Sequence, residues 1–246
     1  MELISKKKPL LVYAPAKINL HLEVMGFRED GFHELAMVMQ SINILDKLTF
    51  RSRDDGQIKL ETDSSNLSGG EDNLIIKAAK VIQRDSRNKH FGADIKLSKN
   101  IPIGAGLAGG STDAAATLFG LNILWDLGYS NKKLELLSSE IGSDIPFFIS
   151  GGTQLCFGRG EILEKIETSN CSFGVILLKD PSISVSTPWA YSMSKKNNQH
   201  LYLKTEQAYE ERRNRLRSSE WLIKENKSLP PLNNDLERVV APLNES

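Results

Sequence analysis

A glycine-rich run connects a short strand-like segment to a long helical pattern. It reads Pro102-Ile103-Gly104-Ala105-Gly106-Leu107-Ala108-Gly109-Gly110-Ser111-Thr112. Glycine has no Cβ, so its amide can approach a ligand closely and its backbone can adopt positive φ. The first amides of a helix lack intrahelical partners and lie at the positive end of the helix dipole. The run therefore predicts a phosphate-binding loop.

A simpler interpretation of these residues is a glycine-rich turn before a capped helix. Ser111 or Thr112 could cap that helix, or either hydroxyl could bind a phosphate. Four of the seven residues from Gly104 to Gly110 are glycine. This density favours the phosphate loop over the plain turn.

Two well-known phosphate loops have a different context. The P-loop places a lysine directly after its last glycine, where this sequence has Ser111. The spacing Gly104-x-Gly106-x-x-Gly109 matches the fingerprint of an NAD-dependent dehydrogenase, which is the alternative function. That fingerprint requires a strand directly before the loop and an acid at the end of the next strand. Here residues 99–103 intervene and Asp126 lies at a predicted helix end, so the context disfavours a dehydrogenase.

Strands are predicted on both sides of the glycine-rich run, from alternating or apolar segments bounded by turn residues. Pro15 separates the first two. Segments 47–53 and 57–62 are expected to pair as a hairpin around Asp54-Asp55-Gly56. The predicted strands are 10–13, 18–24, 47–53, 57–62, 93–98, 153–157 and 173–179.

Helices are interleaved with these strands. An amphipathic helix is predicted to begin at Asn73, a strong helix to span 111–127, and another to span 132–141 after the stop signal Gly128. From Thr187 the pattern is helical and more polar. The interleaving predicts an α+β or α/β protein, with a subdomain boundary between about 160 and 175.

The composition excludes several functional classes. The 246 residues include 31 Lys and Arg against 31 Asp and Glu, so the formal net charge is zero. A neutral chain has no global field for a nucleic-acid backbone or an anionic membrane, so neither partner is predicted. The expected partner is a small molecule, and the oligomeric state is left open.

Cysteine, histidine and hydropathy patterns predict a cytoplasmic protein without a structural metal. Cys156 and Cys171 form no metal-spaced pair and are interpreted as reduced thiols. The four histidines show no ligand spacing. No apolar run approaches the roughly 20 residues that cross a bilayer, and the N-terminus leaves no room for a signal sequence.

Several further segments accompany the glycine-rich run. They are Ala14-Pro15-Ala16-Lys17-Ile18-Asn19-Leu20, Asp30-Gly31-Phe32-His33-Glu34-Leu35, Glu71-Asp72-Asn73-Leu74, Gly142-Ser143-Asp144-Ile145-Pro146-Phe147-Phe148 and Ser186-Thr187-Pro188-Trp189-Ala190-Tyr191. Together they resemble the GHMP kinases over about residues 10–240. The runs around Lys17 and His33 resemble the member of that family that acts on a cytidine-diphosphate-linked methylerythritol.

The resemblance implies an α+β fold of two domains. It implies an ATP-binding domain over 1–165, like domain 2 of ribosomal protein S5, and a ferredoxin-like domain over 166–246. It also implies the reaction, which is ATP- and Mg²⁺-dependent phosphorylation of the substrate's 2-hydroxyl in the non-mevalonate route to isoprenoids. Another GHMP small-molecule kinase is the alternative within the family.

The resemblance also implies roles for individual residues. Lys17 and Asp144 are the implied catalytic pair, and Asn73 is implied to lie near the adenosine. The implied phosphate loop runs from Pro102 to Thr112. The implied substrate contacts are Asn19, Phe32, His33 and Tyr191, and Phe32 stands where family members often have tyrosine. Without the resemblance, Lys17 could be an exposed strand lysine and Asp144 a helix cap before Pro146.

The C-terminal region departs from the family pattern. The family implies a third glycine-rich motif some tens of residues after Asn234-Asp235-Leu236-Glu237, whereas the sequence ends at Ser246. The expectation is therefore a truncated chain with an incomplete second domain. A chain that binds nucleotide or substrate without turnover is the corresponding alternative.

Overall fold

The computed structural model describes residues 8–65, 67–166, 174–180, 183–218 and 233–241. The strands are β1 (Leu10–Phe27), β2 (His33–Arg53), β3 (Ile58–Thr62), β4 (Gly92–Ser98), β5 (Thr153–Gly158), β6 (Ile162–Lys165) and β7 (Asn233–Asn234). The helices are α1 (Leu74–Ser86), α2 (Gly109–Leu124), α3 (Asn131–Ser139), α4 (Ile145–Ser150), α5 (Thr187–Asn198), α6 (Glu206–Arg217) and α7 (Glu237–Val240), with a 3-10 turn at Gln199–Leu201.

The described residues form two compact units that interleave along the chain. The first unit contains residues up to 16, 43–103 and 108–150. The second unit contains 17–42, 104–107 and the described residues from 151 onward. The division of the chain into domains 1–165 and 166–246 stays a prediction.

The core of the first unit lies among helices α1, α2 and α4 and strands β2 to β4. Its fully buried side chains include Phe50, Leu118 and Ile145. Helix α2 approaches β2 closely at Gly120, where an added Cβ would lie 2.6 Å from Cε2 of Phe50. Glycine at this position therefore allows the helix that follows the glycine-rich run to sit directly on the sheet.

The predicted hairpin between segments 47–53 and 57–62 is wrong. Residues 47–53 of β2 pair antiparallel with β4, and β3 pairs parallel with the other edge of β4. Strand β4 thus separates the two segments, and α1 supplies the crossover that a parallel β3–β4 pair requires. Asp55 does form a local turn, because its carboxylate accepts hydrogen bonds from Arg53 and from the amide of Gln57.

The second unit is built on the remaining parts of β1 and β2. Residues 35–40 of β2 pair antiparallel with β5, which pairs in turn with β6. On β1, His21 and Leu22 pair in parallel with β7. A small buried cluster forms the core of this unit: Leu20, Met25, Ala36, Val38, Leu155, Phe157 and Leu216.

Two other strand predictions differ from the structure. The two segments around Pro15 form one continuous strand, because the fixed φ of proline is compatible with extended backbone. Residues 174–179 carry no strand pairing, and Phe173 lies outside the described residues. Ile176 is 88% exposed and Leu178 is 94% exposed. An apolar composition favours a strand, but a strand also needs a hydrogen-bonded neighbour, and none is assigned to this described segment.

Three findings bear on the other sequence-based expectations. None of the described helices is long and apolar enough to cross a membrane. Cys156 is buried, whereas Cys171 lies outside the described residues. The pair Pro230-Pro231, whose residue types predict a break in the late helical region, also lies outside them.

Candidate active site

The glycine-rich run forms the loop that leads into α2. Gly104 and Gly106 have φ values of +67° and +71°. Ala108 also has positive φ and stands at the N-cap of α2, where no side chain caps the helix. The amide of Thr112 bonds to the carbonyl oxygen of Ala108, so the helix begins at Gly109. The first amides of this helix therefore have no side-chain cap among the described residues, and uncapped amides of this kind can bind an anion.

Ser111 and Thr112 lie within the first turn of α2 and do not cap it, contrary to one of the two roles considered for them. The hydroxyl of Thr112 is buried and has no hydrogen-bond partner among the described residues. A buried hydroxyl without a partner costs free energy, so a ligand that supplied one would be favoured. The arrangement fits a phosphate oxygen at this helix terminus.

The loop's context also argues against a dinucleotide fold. Strand β4 ends at Ser98, so residues 99–103 separate it from Gly104. Asp126 follows the C-terminus of α2 and is not at a strand end. Neither feature of the fingerprint is therefore present in this part of the structure.

Lys17 and Asn19 lie in the second unit, on the same face of β1, because alternate residues of a strand point the same way. Lys17 is 6% exposed, so the exposed-lysine interpretation is wrong. Its amide donates a hydrogen bond to the carbonyl oxygen of Leu107 at 3.2 Å. The side-chain oxygen of Asn19 is buried without a partner among the described residues.

Asp144 and Asn73 belong to the first unit. Asp144 stands directly before the six-residue helix α4 and is partly exposed. Asn73 is the N-cap of α1: its side-chain oxygen accepts from the amide of Ile75 at 2.9 Å, and its nitrogen donates to the carbonyl oxygen of Ser68 at 2.6 Å. Asn73 thus has a structural role, and its contact with adenosine stays a prediction. The pairing of Lys17 with Asp144 also stays a prediction.

Two of the implied substrate contacts, His33 and Tyr191, come together in the second unit. Their rings stack with centroids 5.2 Å apart. Phe27 and Tyr202 contact the His33 ring edge-to-face at 5.3 Å and 6.0 Å. We call these four side chains the His33 cluster. Aromatic rings of this kind can stack on a planar base.

The surroundings of the His33 imidazole favour its neutral form. Burial lowers the pKa of His33, and the positive charge of Lys195 lowers it further. Its Nε2 atom is buried without a partner among the described residues. A neutral imidazole has one donor and one acceptor nitrogen, so His33 can bond the polar edge of a ligand.

Phe32 is not part of this cluster. Its side chain is 48% exposed, and the guanidinium of Arg159 lies over its ring with Cζ 4.9 Å from the centroid. The carboxylate of Asp30 accepts from the amide of Phe32 at 3.1 Å and fixes the turn before β2. The half-exposed ring of Phe32 therefore lies next to the positive charge of Arg159.

Sequence reasoning missed Phe27, Tyr202, Lys195 and Arg159. Lys195 lies one helical turn after Tyr191 on α5, and its ammonium lies 3.2 Å from the ring centroid of Phe27. The i, i+4 spacing of Tyr191 and Lys195 was a usable signal. Phe27 and Tyr202 lie far from Tyr191 in sequence, so spacing alone could not group them.

Residues 73–152 match the family of GHMP kinase N-terminal domains. The chain is 58% identical over 241 residues to the 4-diphosphocytidyl-2-C-methyl-D-erythritol kinase of Prochlorococcus marinus strain SARG, and the match covers 98% of this chain and 76% of the relative. It is 55% identical to the kinase of the same name from Synechococcus sp. strain CC9605, over 95% of this chain and 76% of the relative.

Solved structures show the same fold. A crystal structure of 4-(cytidine 5'-diphospho)-2C-methyl-D-erythritol kinase superposes with a TM-score of 0.65 at 29% identity, covering 96% of this chain and 80% of that one. Homoserine kinase from Cytophaga hutchinsonii superposes with a TM-score of 0.56 at 18% identity, covering 78% and 62% of the two chains, which shows the fold alone. The predicted α+β class and GHMP kinase fold are confirmed. The chain belongs to the 4-diphosphocytidyl-2-C-methyl-D-erythritol kinase family of the GHMP kinases.

Proposed function

We propose that the chain transfers the γ-phosphoryl group of ATP to the 2-hydroxyl of 4-diphosphocytidyl-2-C-methyl-D-erythritol, a step of the non-mevalonate route to isoprenoids. The observation that carries the proposal is the 58% identity to a kinase of that name over nearly the whole chain. The uncapped start of α2 after the glycine-rich loop agrees with a site for ATP phosphates. The reaction would take place in the cytoplasm, as the sequence predicts.

The phosphates of ATP would be held by the loop from Pro102 to Thr112. The first amides of α2 would donate to phosphate oxygens, and the partnerless hydroxyl of Thr112 would gain a partner there. Among the described residues, no group of three or more His, Cys, Asp and Glu side chains is placed to hold a metal ion. Mg²⁺ would bind together with the ATP phosphates, where one or two carboxylates and water usually complete its ligands. When bound, it would neutralise phosphate charge.

The proposed chemistry at the acceptor hydroxyl uses Asp144 and Lys17. Phosphoryl transfer passes through a loose transition state, so the protein mainly positions groups and neutralises charge. Asp144 would accept the proton of the 2-hydroxyl, and Lys17 would orient Asp144 and stabilise the attacking oxygen. The burial of Lys17 suits this role, because a charge acts more strongly where water is excluded.

The His33 cluster would bind the cytosine base. Tyr191 and His33 offer stacked rings, and the neutral imidazole would bond the polar edge of the pyrimidine. Phe32 would add a stacking face at the turn before β2. Asn19 would use its partnerless oxygen to bond a hydroxyl or amine of the substrate.

A coupled ADP-release assay with the cytidyl substrate tests the proposed function. We expect ADP release that depends on both ATP and this substrate, with little release in its absence. Binding of both ligands by calorimetry without ADP release would instead support a binding chain without turnover. Equal activity with unrelated alcohols such as homoserine or mevalonate would point to another GHMP kinase.

A further inference from the structure

Three ionisable side chains meet in the interior of the first unit, close in sequence to the two ends of the glycine-rich run or bonded to them. The ammonium of Lys99 bonds to the carboxylates of Asp46 and Asp113, with an Nζ–Oδ2 distance of 2.9 Å to Asp113. The side chains of Asp46, Asp113 and Lys99 are 0%, 3% and 9% exposed. We call this group the Lys99 triad.

The triad joins the two ends of the loop. At the entrance, Oδ1 of Asp46 accepts hydrogen bonds from the amides of Asn100 and Ile101 at 2.6 Å and 2.8 Å. At the exit, Asp113 lies near the start of α2 and binds Lys99. One carboxylate on β2 therefore anchors both the segment that enters the loop and, through Lys99, the helix that leaves it.

The ammonium also lies directly against the loop exit. A Cβ added to Gly109 would lie 3.0 Å from Nζ of Lys99 and 3.1 Å from Cγ2 of Ile101. Gly109 is the first residue of α2. Lys99 and Ile101 therefore lie in close contact with the first residue of α2.

Stability alone is a weak reason for such a group. Removing charges from water costs several kcal/mol for each ion, and apolar replacements of buried ion pairs are often neutral or stabilising. One ammonium here faces two carboxyl groups, and Oδ1 of Asp113 has no partner among the described residues. Burial raises the pKa of Asp113 and the nearby charge of Asp46 adds to this, while Lys99 opposes both. The Lys99 triad is costly to bury, so its role is better explained by how its hydrogen bonds fix the two ends of the loop.

We propose that the Lys99 triad is a positioning element that sets the two ends of the glycine-rich loop before ATP binds. The proposal rests on the proposed function, in which this loop holds the ATP phosphates. Amides that already converge on the phosphate position avoid the cost of ordering the loop during binding. The triad side chains are at most 9% exposed, so they would act through the loop rather than by direct contact with the phosphates.

Hydrogen exchange without nucleotide, and calorimetry with ATP, test this role in the full chain. Lys99→Met is compared with the control variant Lys133→Met. The control breaks a different ion pair of the same unit, in which Lys133 Nζ lies 2.7 Å from Asp85 Oδ1. We expect Lys99→Met to speed hydrogen exchange of the amides of residues 108–112 and to weaken ATP binding. Each effect should be on the order of tenfold or more, because that is the scale of one lost charge-assisted hydrogen bond. Binding of the cytidyl substrate should not change. Lys133→Met should leave all three quantities at wild-type values.

A second variant covers the case in which Lys99→Met does not fold. Asp113→Asn keeps the shape of the side chain and leaves the Asp46–Lys99 bond in place, and we expect the same selective effects on the loop and on ATP. Unchanged loop exchange and unchanged ATP affinity in a folded variant would overturn the proposal. Failure of the wild-type chain to bind ATP would contradict the proposed function instead, and loop exchange would still decide the role of the triad.

Discussion

The amide of Lys17 donates a hydrogen bond to the carbonyl oxygen of Leu107, with 3.2 Å between nitrogen and oxygen. This bond ties β1 to the glycine-rich loop at the residue assigned to the acceptor hydroxyl. Leu107 is itself 8% exposed, so its side chain anchors the loop while its carbonyl oxygen holds the strand. We therefore expect a change of the loop at Leu107 to shift the backbone of Lys17 as well.

Asp144→Asn removes the proposed general base. We expect turnover to fall by roughly 10² to 10⁴-fold, the usual effect of losing such a group, with ATP affinity nearly unchanged. Steady-state ADP release and ATP calorimetry measure the two effects. Asp126→Asn is the control, because Asp126 is an exposed acid of the same unit that follows α2. Wild-type turnover in Asp144→Asn would remove Asp144 from the mechanism.

Gly106→Ala tests the loop with a matched control elsewhere in the chain. Gly106 and Gly128 have φ values of +71° and +66°, and neither has a neighbour within 4 Å of an added Cβ. Alanine at either position should therefore lower the stability by a similar ~1 kcal/mol, because the backbone of both residues is in the left-handed region. Only Gly106→Ala should weaken ATP binding, as measured by calorimetry. Equal ATP affinity in the two variants would mean that the loop is a plain turn.

Phe32→Ala should raise the Michaelis constant for the cytidyl substrate. The expected loss is on the order of 1 to 3 kcal/mol, by analogy with base–aromatic stacking elsewhere. Phe119→Ala is the control, because Phe119 on α2 is 42% exposed and Phe32 is 48% exposed. If both variants kept the wild-type Michaelis constant, Phe32 would not contact the base.

His33→Ala should reduce the preference for the cytidyl over the uridyl form of the substrate. A buried hydrogen-bonding group rejects a mismatched edge because polar atoms are then left unpaired. The measurement is the ratio of kcat/KM for the two forms. Equal use of both forms by the unmutated protein would contradict the assignment of the His33 cluster to cytosine.

The lowered pKa of His33 predicts a pH-dependent stability. The folded state disfavours the protonated imidazole. The neutral imidazole therefore contributes to the stability of the folded state above the ordinary histidine pKa of about 6.5, and this contribution is lost as pH falls through the lower pKa of the folded state. Urea unfolding at pH 7 and pH 5 should show a larger loss of stability for wild type than for His33→Gln. The difference should be at most about 1.4 kcal/mol per pH unit, the limit for one proton. Equal losses would place His33 in a solvated environment.

Local signals in the sequence determined the helices and the loop. Asn73 caps α1 as its residue type favours, and Gly104 and Gly106 of the loop adopt the positive φ that most other residues avoid. Gly128 has φ of +66° between α2 and α3. These features depend on a few consecutive residues, so the sequence predicted them within a few positions. The motifs that resemble the GHMP kinases also depend only on the sequence.

Only the tertiary structure decided which segments are neighbours. The alternation of β2 and β3 predicts strands, but it does not say that β4 lies between them. Residues 174–179 are apolar enough for a strand and yet have no strand pairing. Lys99, Asp46 and Asp113 carried no motif in the sequence, and Phe27 and Tyr202 had no visible link to His33. Each of these contacts joins residues that are distant along the chain, so its partner is set by how the strands and helices pack and not by local preference.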